Sequence, residues 1–412
     1  MKRKIIGKLI KWKEIDKDRR PLLLCGAKQV GKTYGVKEFA SLCYENLVYV
    51  NFCENPEMIE GLKEKKTVEE VVKGLENLYK TIIIPGKTLI FLDDIELHKI
   101  GVGWLQLFQR EGASYHIIGA CNTMEAPTCE NIQTEKVFPM DFEEFLWATG
   151  KDELAETIRS HYETMEPVPI EIHKDCLEEW KKYLLTGGMP TVVCAHIYHK
   201  NPTKEQEYKE LIVDSYVSDM TNLFSNLKGA KAKEAYLSIP GQLCKENRKF
   251  QYKYIKEGAR ASFYADTIHL LKEMGVVFKC EKRQDESCFK LYMNDVGLLA
   301  IKLRLDAEKI ENAANGRLVR GLTENYVACS LHSKGYELGY WLSGGIAEID
   351  FLIEKQEGLI PIVLNLEEST KRKSLKVYGE KYKPPYGIVL SKANFKMEHG
   401  IKSVPLYGVF AL

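Results

Sequence analysis

Eight residues, Gly26-Ala27-Lys28-Gln29-Val30-Gly31-Lys32-Thr33, constrain this chain more than any other feature. They follow the apolar run Pro21–Cys25 and precede a helical pattern, TYGVKEFASLCYE. GxxxxGK[ST] in that strand–loop–helix setting reads as a phosphate cradle. The glycines let backbone N–H groups turn toward phosphate oxygens, and the helix N-terminus adds partial positive charge. Lys32 is placed to reach β and γ phosphates, and Thr33 to ligate magnesium.

The flanking pattern sets the fold class. Short apolar runs at 22–25, 47–52, 88–94, 115–121 and 136–140 alternate with amphipathic stretches. Such spacing predicts buried parallel strands joined by crossover helices, an α/β sheet covered on both faces. The run Thr88–Leu92 ends in Asp93-Asp94. Asp93 is the expected magnesium-organising acid and Asp94 the acid that orients water, with Glu96 a weaker substitute. The run at 115–121 ends in Cys121-Asn122-Thr123, and strand carboxyl ends face the ligand crevice in parallel sheets. Asn122 is therefore a candidate γ-phosphate sensor. Arg110 and Arg159 sit in no discriminating motif and read as helix-face ion-pair partners.

At 412 residues the chain exceeds what one core usually supports, so two or three domains are expected. It is 45% hydrophobic and 28% charged, which excludes disordered and collagen-like classes. Its 59 basic and 58 acidic residues leave +1, so any nucleic-acid or membrane contact needs a local patch. No apolar run nears the roughly 20 residues of a spanning helix. The eleven cysteines form no CxxC, and a cytoplasmic protein without disulfides or zinc is expected, with thiols such as Cys25 in the core.

Residues 151–230 turn helical, and in CLEEWKKYLLTGGMP the Gly187-Gly188 pair and Pro190 stop a helix. Between 231 and 305, IHLLKEMGVVFKCEKR followed by CFKLYMND reads as helix, strand, turn, strand, a shape that resembles a winged helix. The polar stretch at 308–316 is the best linker candidate. From 306 to 412, GLTENYVACSLHSKG is a helix, and YWLSGG, EIDFLIEK, LIPIVLNL, YGIVLS and VPLYGVF read as strands. Tyr340 and Trp341 are expected in the core, and Lys371-Arg372-Lys373 with Lys376 as a solvated helix start.

Taken together, RRPLLLCGAKQVGKT (19–33), VYVNFCENPE (48–57), LIFLDDIE (89–96), FPMDFEEFL (138–146), LLTGGMP (184–190), IPGQLCKENRKFQY (239–252), GLTENYV (321–327), YWLSGGIAEIDFLIE (340–354) and KSLKVY (373–378) resemble one group. It comprises bacterial and archaeal AAA-type P-loop ATPases that carry a C-terminal restriction-endonuclease-like domain of unknown function. The resemblance implies ATP binding with Mg2+ in an ATPase core (1–150) and a helical lid (151–230) around the Gly-Gly-Met-Pro turn. It also implies a winged-helix-like domain (231–305) and an endonuclease-like α/β domain (306–412). Asp93-Asp94 departs from the group's usual Asp-Glu, and Cys121-Asn122 from its common Gly-Ser, so slow hydrolysis is expected. Glu324 and Asp350 match the first two endonuclease positions, whereas Val363 and Asn365 stand where a metal carboxylate and a lysine belong. The domain is therefore expected to be nuclease-like in fold and inactive in chemistry. The leading reading is a nucleotide-driven switch. The alternatives are a nucleic-acid-processing nuclease and a DNA- or protein-binding adaptor with structural ATP, and the oligomeric state is left open.

Overall fold

The computed structural model describes residues 1–15, 18–54, 59–97, 99–125, 131–223, 226–312, 316–344, 347–366 and 371–412. Two compact units divide the chain. One comprises residues 2–138 with 273–275, and the other Met1, 139–272 and 276–412.

The first unit contains α1 (Lys4–Lys13), β1 (Leu22–Cys25), α2 (Lys32–Cys43), β2 (Asn46–Asn51), α3 (Val68–Tyr79), β3 (Thr88–Asp93), α4 (Lys99–Glu111), β4 (His116–Cys121) and β5 (Gln133–Lys136). All five strands run parallel in the order β2-β3-β4-β1-β5. Every residue of β1, β3 and β4 is buried, as expected for central strands covered on both faces. In α3 the buried Val68, Val71, Val72 and Leu75 form one stripe, and the Thr67 side chain caps the helix by accepting from the Glu70 N–H. Each of those four side chains contributes about 1.5–3 kcal/mol of burial.

The fifth strand differs from expectation. It is Gln133–Lys136, with exposed residues alternating along it, and the apolar run expected at 136–140 begins only at its last residue. The reason is position: β5 pairs with β1 alone, so it is an edge strand whose polar residues face solvent. The chain leaves it through Val137, whose N–H donates to the Cys25 carbonyl at 2.7 Å.

The second unit begins with α5 (Phe142–Ala148), α6 (Asp152–Thr164), α7 (Ile170–Thr186), α8 (Pro190–His199), α9 (Pro202–Leu223), α10 (Asn226–Leu243) and α11 (Ala261–Glu273). There follow β6 (Val277–Lys282), β7 (Asp285–Met293), α12 (Val296–Lys302), α13 (Ala307–Glu311) and α14 (Gly316–His332). The chain ends with β8 (Leu338–Ser343), β9 (Ala347–Lys355), β10 (Gly358–Leu364), α15 (Lys371–Tyr382), β11 (Gly387–Ser391), β12 (Lys396–Glu398) and β13 (Ile401–Pro405).

The Gly-Gly-Met-Pro turn does more than stop α7. A Cβ on Gly188 would lie 1.8 Å from the Met140 carbonyl oxygen, and one on Gly187 would lie 2.3 Å from Asp295 Oδ1. The buried Asp295 accepts from the N–H of Gly188 at 2.6 Å and from that of Leu298 at 3.0 Å. One carboxylate thus ties the turn to the start of α12, and only glycine permits so close an approach.

Eight strands form a mixed sheet in the order β12-β13-β11-β10-β9-β8-β6-β7. The hairpin β6–β7, expected to end a separate domain at 305, is part of this sheet because β6 pairs parallel to β8, Cys280 opposite Leu338. An unpaired β6 edge would be a liability, and β8 covers it. Tyr340 and Trp341 are buried in β8, as expected. The expected linker starts as α13, and residues 313–315 of it lie outside the described residues, as do 55–57 of VYVNFCENPE. Among the described residues no helix is long and apolar enough to cross a membrane.

Candidate functional site

The phosphate loop connects β1 to α2, and its backbone explains its sequence. Gly31 has φ 95° at the N-cap of α2, and Gln29 has φ 67°, left-handed conformations that reverse the chain within a few residues. A Cβ on Gly26 would lie 2.3 Å from the Val137 carbonyl oxygen. Ala27 and Val30 are buried, whereas Lys28 and Gln29 are exposed at the crest. Gly26→Ala is therefore expected to cost about 1–3 kcal/mol of stability, read as a lower thermal unfolding midpoint.

Arg3, only 5% exposed, straps the loop from below. Its guanidinium donates to the Val30 carbonyl at 3.0 Å and the Phe138 carbonyl at 2.9 Å. The charged N-terminal stretch concealed this role, because nothing in its spacing distinguishes Arg3 from its lysine neighbours.

Lys32 is buried, and its ammonium donates to the carbonyls of Gly26 (3.0 Å) and Ala27 (2.8 Å) and to Asn122 Oδ1 (2.9 Å). Burial pushes the Lys32 ammonium below its usual range, against the pull of nearby Glu96, Asp93 and Asp94. Thr33 Oγ1 donates to Asp93 Oδ2 at 2.7 Å, and Tyr49 donates to the same oxygen at 3.1 Å. Burial, then the neighbouring Asp94, pushes the Asp93 carboxyl up, while the Thr33 and Tyr49 hydrogen bonds hold it down.

Asp94 sits just past β3 with φ 58°, a conformation that aspartate tolerates better than most residues. The Asn122 amide donates to Asp94 Oδ1 at 2.7 Å and to Glu96 Oε1 at 2.8 Å. Asn122 therefore bridges Lys32 on one side to two carboxylates on the other. Burial pushes the Glu96 carboxyl up. Lys32, Thr33, Asp93, Asp94 and Asn122 meet at the carboxyl ends of β1, β3 and β4, around the free thiols Cys25 and Cys121 that stand in register there.

Four further contributors were not singled out from the sequence. Tyr49 and Asn51, linked at 3.0 Å, lie at the carboxyl end of β2, and that strand-end position was the available signal. The Glu273 carbonyl accepts from the N–H of Met124 (2.7 Å) and the hydroxyl of Thr123 (2.9 Å). Gly275, φ 69°, lies so close that a Cβ would be 3.2 Å from the Ala27 nitrogen. The 150-residue separation of Glu273 from Thr123 left no local trace.

Arg110 and Arg159 do not join this cluster: Arg159 is ion-paired with Glu143 in the second unit, and Arg110 is exposed on the last turn of α4.

Glu324 on α14 and Asp350 on β9 are both fully buried in the second unit, and cations occupy them. Glu324 pairs with Arg248 at 2.5 Å and Lys290 at 2.9 Å, and accepts from the Tyr292 hydroxyl at 2.7 Å. Asp350 meets Arg320 at 3.3 Å and Arg248 at 3.7 Å, and accepts from the Leu364 N–H at 2.8 Å. Glu348 also pairs with Arg248 (3.1 Å) and Lys290 (3.4 Å). Burial alone would push the Glu324 carboxyl up, but Lys290 and Arg248 outweigh it and hold the carboxyl well below the usual range. Val363 lies in an apolar cluster with Ile349 and Leu375. A lysine inside the buried run CFKLYM was the overlooked signal, since lysine is almost never fully buried unless paired.

Residues 18–146 match the family model described as AAA domain. Residues 177–309 and 320–408 match Domain of unknown function (DUF8612) and Domain of unknown function (DUF4143). No curated protein matches the chain. Among solved structures the chain aligns with Aeropyrum pernix ORC1 in complex with DNA at 15% identity, covering 79% of this chain and 91% of that one, TM-score 0.29. It aligns with AMPPCP-bound DnaA from Aquifex aeolicus at 12%, covering 65% and 86%, TM-score 0.28. C. elegans PCH-2 aligns at 13%, covering 42% and 50%, TM-score 0.24, so this chain spans half the length of that one. At these TM-scores the structural alignments carry no argument about function. The domain match and the phosphate-loop geometry together make residues 18–146 an AAA-type P-loop domain.

Proposed function

We propose that the protein binds ATP with Mg2+ at Gly26–Thr33 and hydrolyses it slowly, so that nucleotide state acts as a switch. The observation that carries this is the cluster in which Asn122 joins Lys32 to Asp94 and Glu96 while Thr33 bonds Asp93. The loop N–H groups from Ala27 to Thr33 and the Lys32 ammonium bind the phosphates. Thr33 and Asp93 hold the metal, whose role when bound is to neutralise charge on the transferring phosphoryl group.

Slow hydrolysis follows from side-chain length and engagement. Asp94 is one methylene shorter than glutamate and its carboxylate is held by Asn122, which limits its capacity to orient water. Nuclease chemistry at Glu324 and Asp350 is disfavoured on this reading, because three cations from the chain already neutralise these carboxylates and Glu348. We assign the 306–412 segment an endonuclease-like ancestry without cleavage, and a protein or DNA partner as the target of the switch.

Asp93→Asn tests the assignment. Steady-state ATP turnover is expected to fall at least about a hundredfold, roughly 2.7 kcal/mol of barrier, while ATP affinity in calorimetry changes less than severalfold. Unchanged turnover would remove Asp93 from the metal site.

A further inference from the structure

A cleft of about 780 Å³ opens in the second unit between the β6–β7 turn, the end of β8 and the last turn of α15. Its volume lies within the range of small-molecule sites, and its lining combines Lys282, Arg283 and Lys381 with Trp341, Tyr382 and a single carboxylate, Glu380. The aromatic part is rigidly built. Trp341 donates its indole N–H to the Tyr382 hydroxyl at 3.2 Å, and the Tyr382 ring packs edge-on to Trp341 (5.9 Å) and tilted against Tyr378 (4.6 Å). Tyr382 itself remains half-buried.

The basic part surrounds that ring. The Arg283 guanidinium lies 6.0 Å and the Lys381 ammonium 5.0 Å from the Tyr382 centroid. Lys282 is shared with Asp285 at 3.4 Å, but among the described residues neither Arg283 nor Lys381 has an ion-pair partner. Lys373 and Lys376 are exposed further along α15, whereas the side chains of Lys371 and Arg372 lie outside the described residues. A near-neutral chain has here the local patch that its overall charge withholds.

A fixed aromatic ring flanked by two cations that lean on it and have no carboxylate partner among the described residues suits a ligand that offers a flat π-face and an anionic group a few ångströms away. We propose that the cleft binds a nucleotide unit, its base against Tyr382 and its phosphate between Arg283 and Lys381. Stacking tolerates any base, and the cations track the phosphate. The same chemistry is offered by a single strand of nucleic acid and by a free mononucleotide.

Fluorescence anisotropy of the full-length protein separates the two sources with labelled fifteen-residue oligothymidylate and labelled thymidine monophosphate. Oligonucleotide binding assigns a single strand; binding of the monophosphate alone assigns a free nucleotide. In either case Arg283→Glu with Lys381→Glu weakens binding at least tenfold, and Tyr382→Leu about tenfold, within the range of base–aromatic stacking. For the oligonucleotide, the double variant also lowers the slope of log affinity against log salt by about 0.7, one single-strand phosphate's worth. An unchanged thermal unfolding midpoint reports that the variants fold, and ATP affinity at the phosphate loop stays unchanged. Lys204→Glu, an exposed lysine on α9, serves as the charge control and changes binding less than twofold. Absence of binding for both probes, wild-type affinity in the Arg283/Lys381 variant, or an equal loss in Lys204→Glu would each overturn the assignment.

Discussion

Lys32→Ala is expected to weaken Mg-ATP binding at least about a hundredfold while leaving the thermal unfolding midpoint nearly unchanged. The first effect follows from charge. A buried ammonium with three donors, two held by the loop carbonyls of Gly26 and Ala27 and one by Asn122, is pre-positioned for phosphate oxygens, and charge-assisted hydrogen bonds contribute about 1.5–3 kcal/mol each. The second follows from compensation. Burial of Lys32 is unfavourable enough to push its ammonium below the usual range, so removing it relieves a desolvation cost even as three acceptors lose a donor. Binding measured by competition against a fluorescent ATP analogue, with the melting curve beside it, checks both. A large drop in midpoint together with lost binding would instead mean that Lys32 mainly holds the loop together.

Arg248→Met is expected to show the opposite profile, with ATP affinity retained and stability lowered by about 3–5 kcal/mol, the cost of leaving buried carboxylates without their cation. Arg248 touches Glu324, Glu348 and Asp350 together, so its loss leaves three carboxylates to share Lys290 and Arg320. Adding Glu324→Gln should recover part of the loss, since it removes one of the stranded charges. The pH dependence has a definite sign. Glu324 is held well below the usual carboxylate range in the folded state, so the unfolded chain takes up its proton first. Its contribution is complete above about pH 4.3, the ordinary glutamate value, and is lost as pH falls from there toward the depressed folded value. Denaturant midpoints of wild type should fall over that window, and those of Glu324→Gln should fall less steeply.

These two variants also separate what a linear sequence discloses from what it conceals. The strands β1, β3 and β4 were legible because central parallel strands covered on both faces must be apolar throughout, and β2 because its run is mostly apolar. The phosphate loop was legible because its chemistry is contiguous, with Gly26, Gly31, Lys32 and Thr33 within eight residues. Asp93, Asp94 and Asn122 could be placed from strand ends alone. By contrast β5 is a polar edge strand, and its pattern gave an apolar run one element too late. Arg3, Tyr49 and the Glu273–Gly275 turn reach the site from distant parts of the chain, and their partners appear only once the backbone is folded. The same holds for the second unit. Glu324 and Asp350 could be named, but their partners Arg248 and Lys290 lie outside that segment, on residues expected to belong to a different domain. The parallel pairing of β6 with β8 makes those segments one sheet, and sequence pattern has no term for such long-range pairing.

On the proposed reading, binding and turnover part company here. Lys32, Thr33 and Asp93 are gathered as an ATP site requires, whereas Asp94 is short and already engaged with Asn122. Tight binding with slow turnover lets a nucleotide state persist, which is what a switch needs.

The most direct measurement is a calorimetric titration of the full-length protein with ATP in the presence of magnesium. One site per chain, with heat abolished by Lys32→Ala, is the result this account requires. Absence of measurable binding at millimolar ATP would contradict it, since a loop so closely built would then serve only as a turn between β1 and α2.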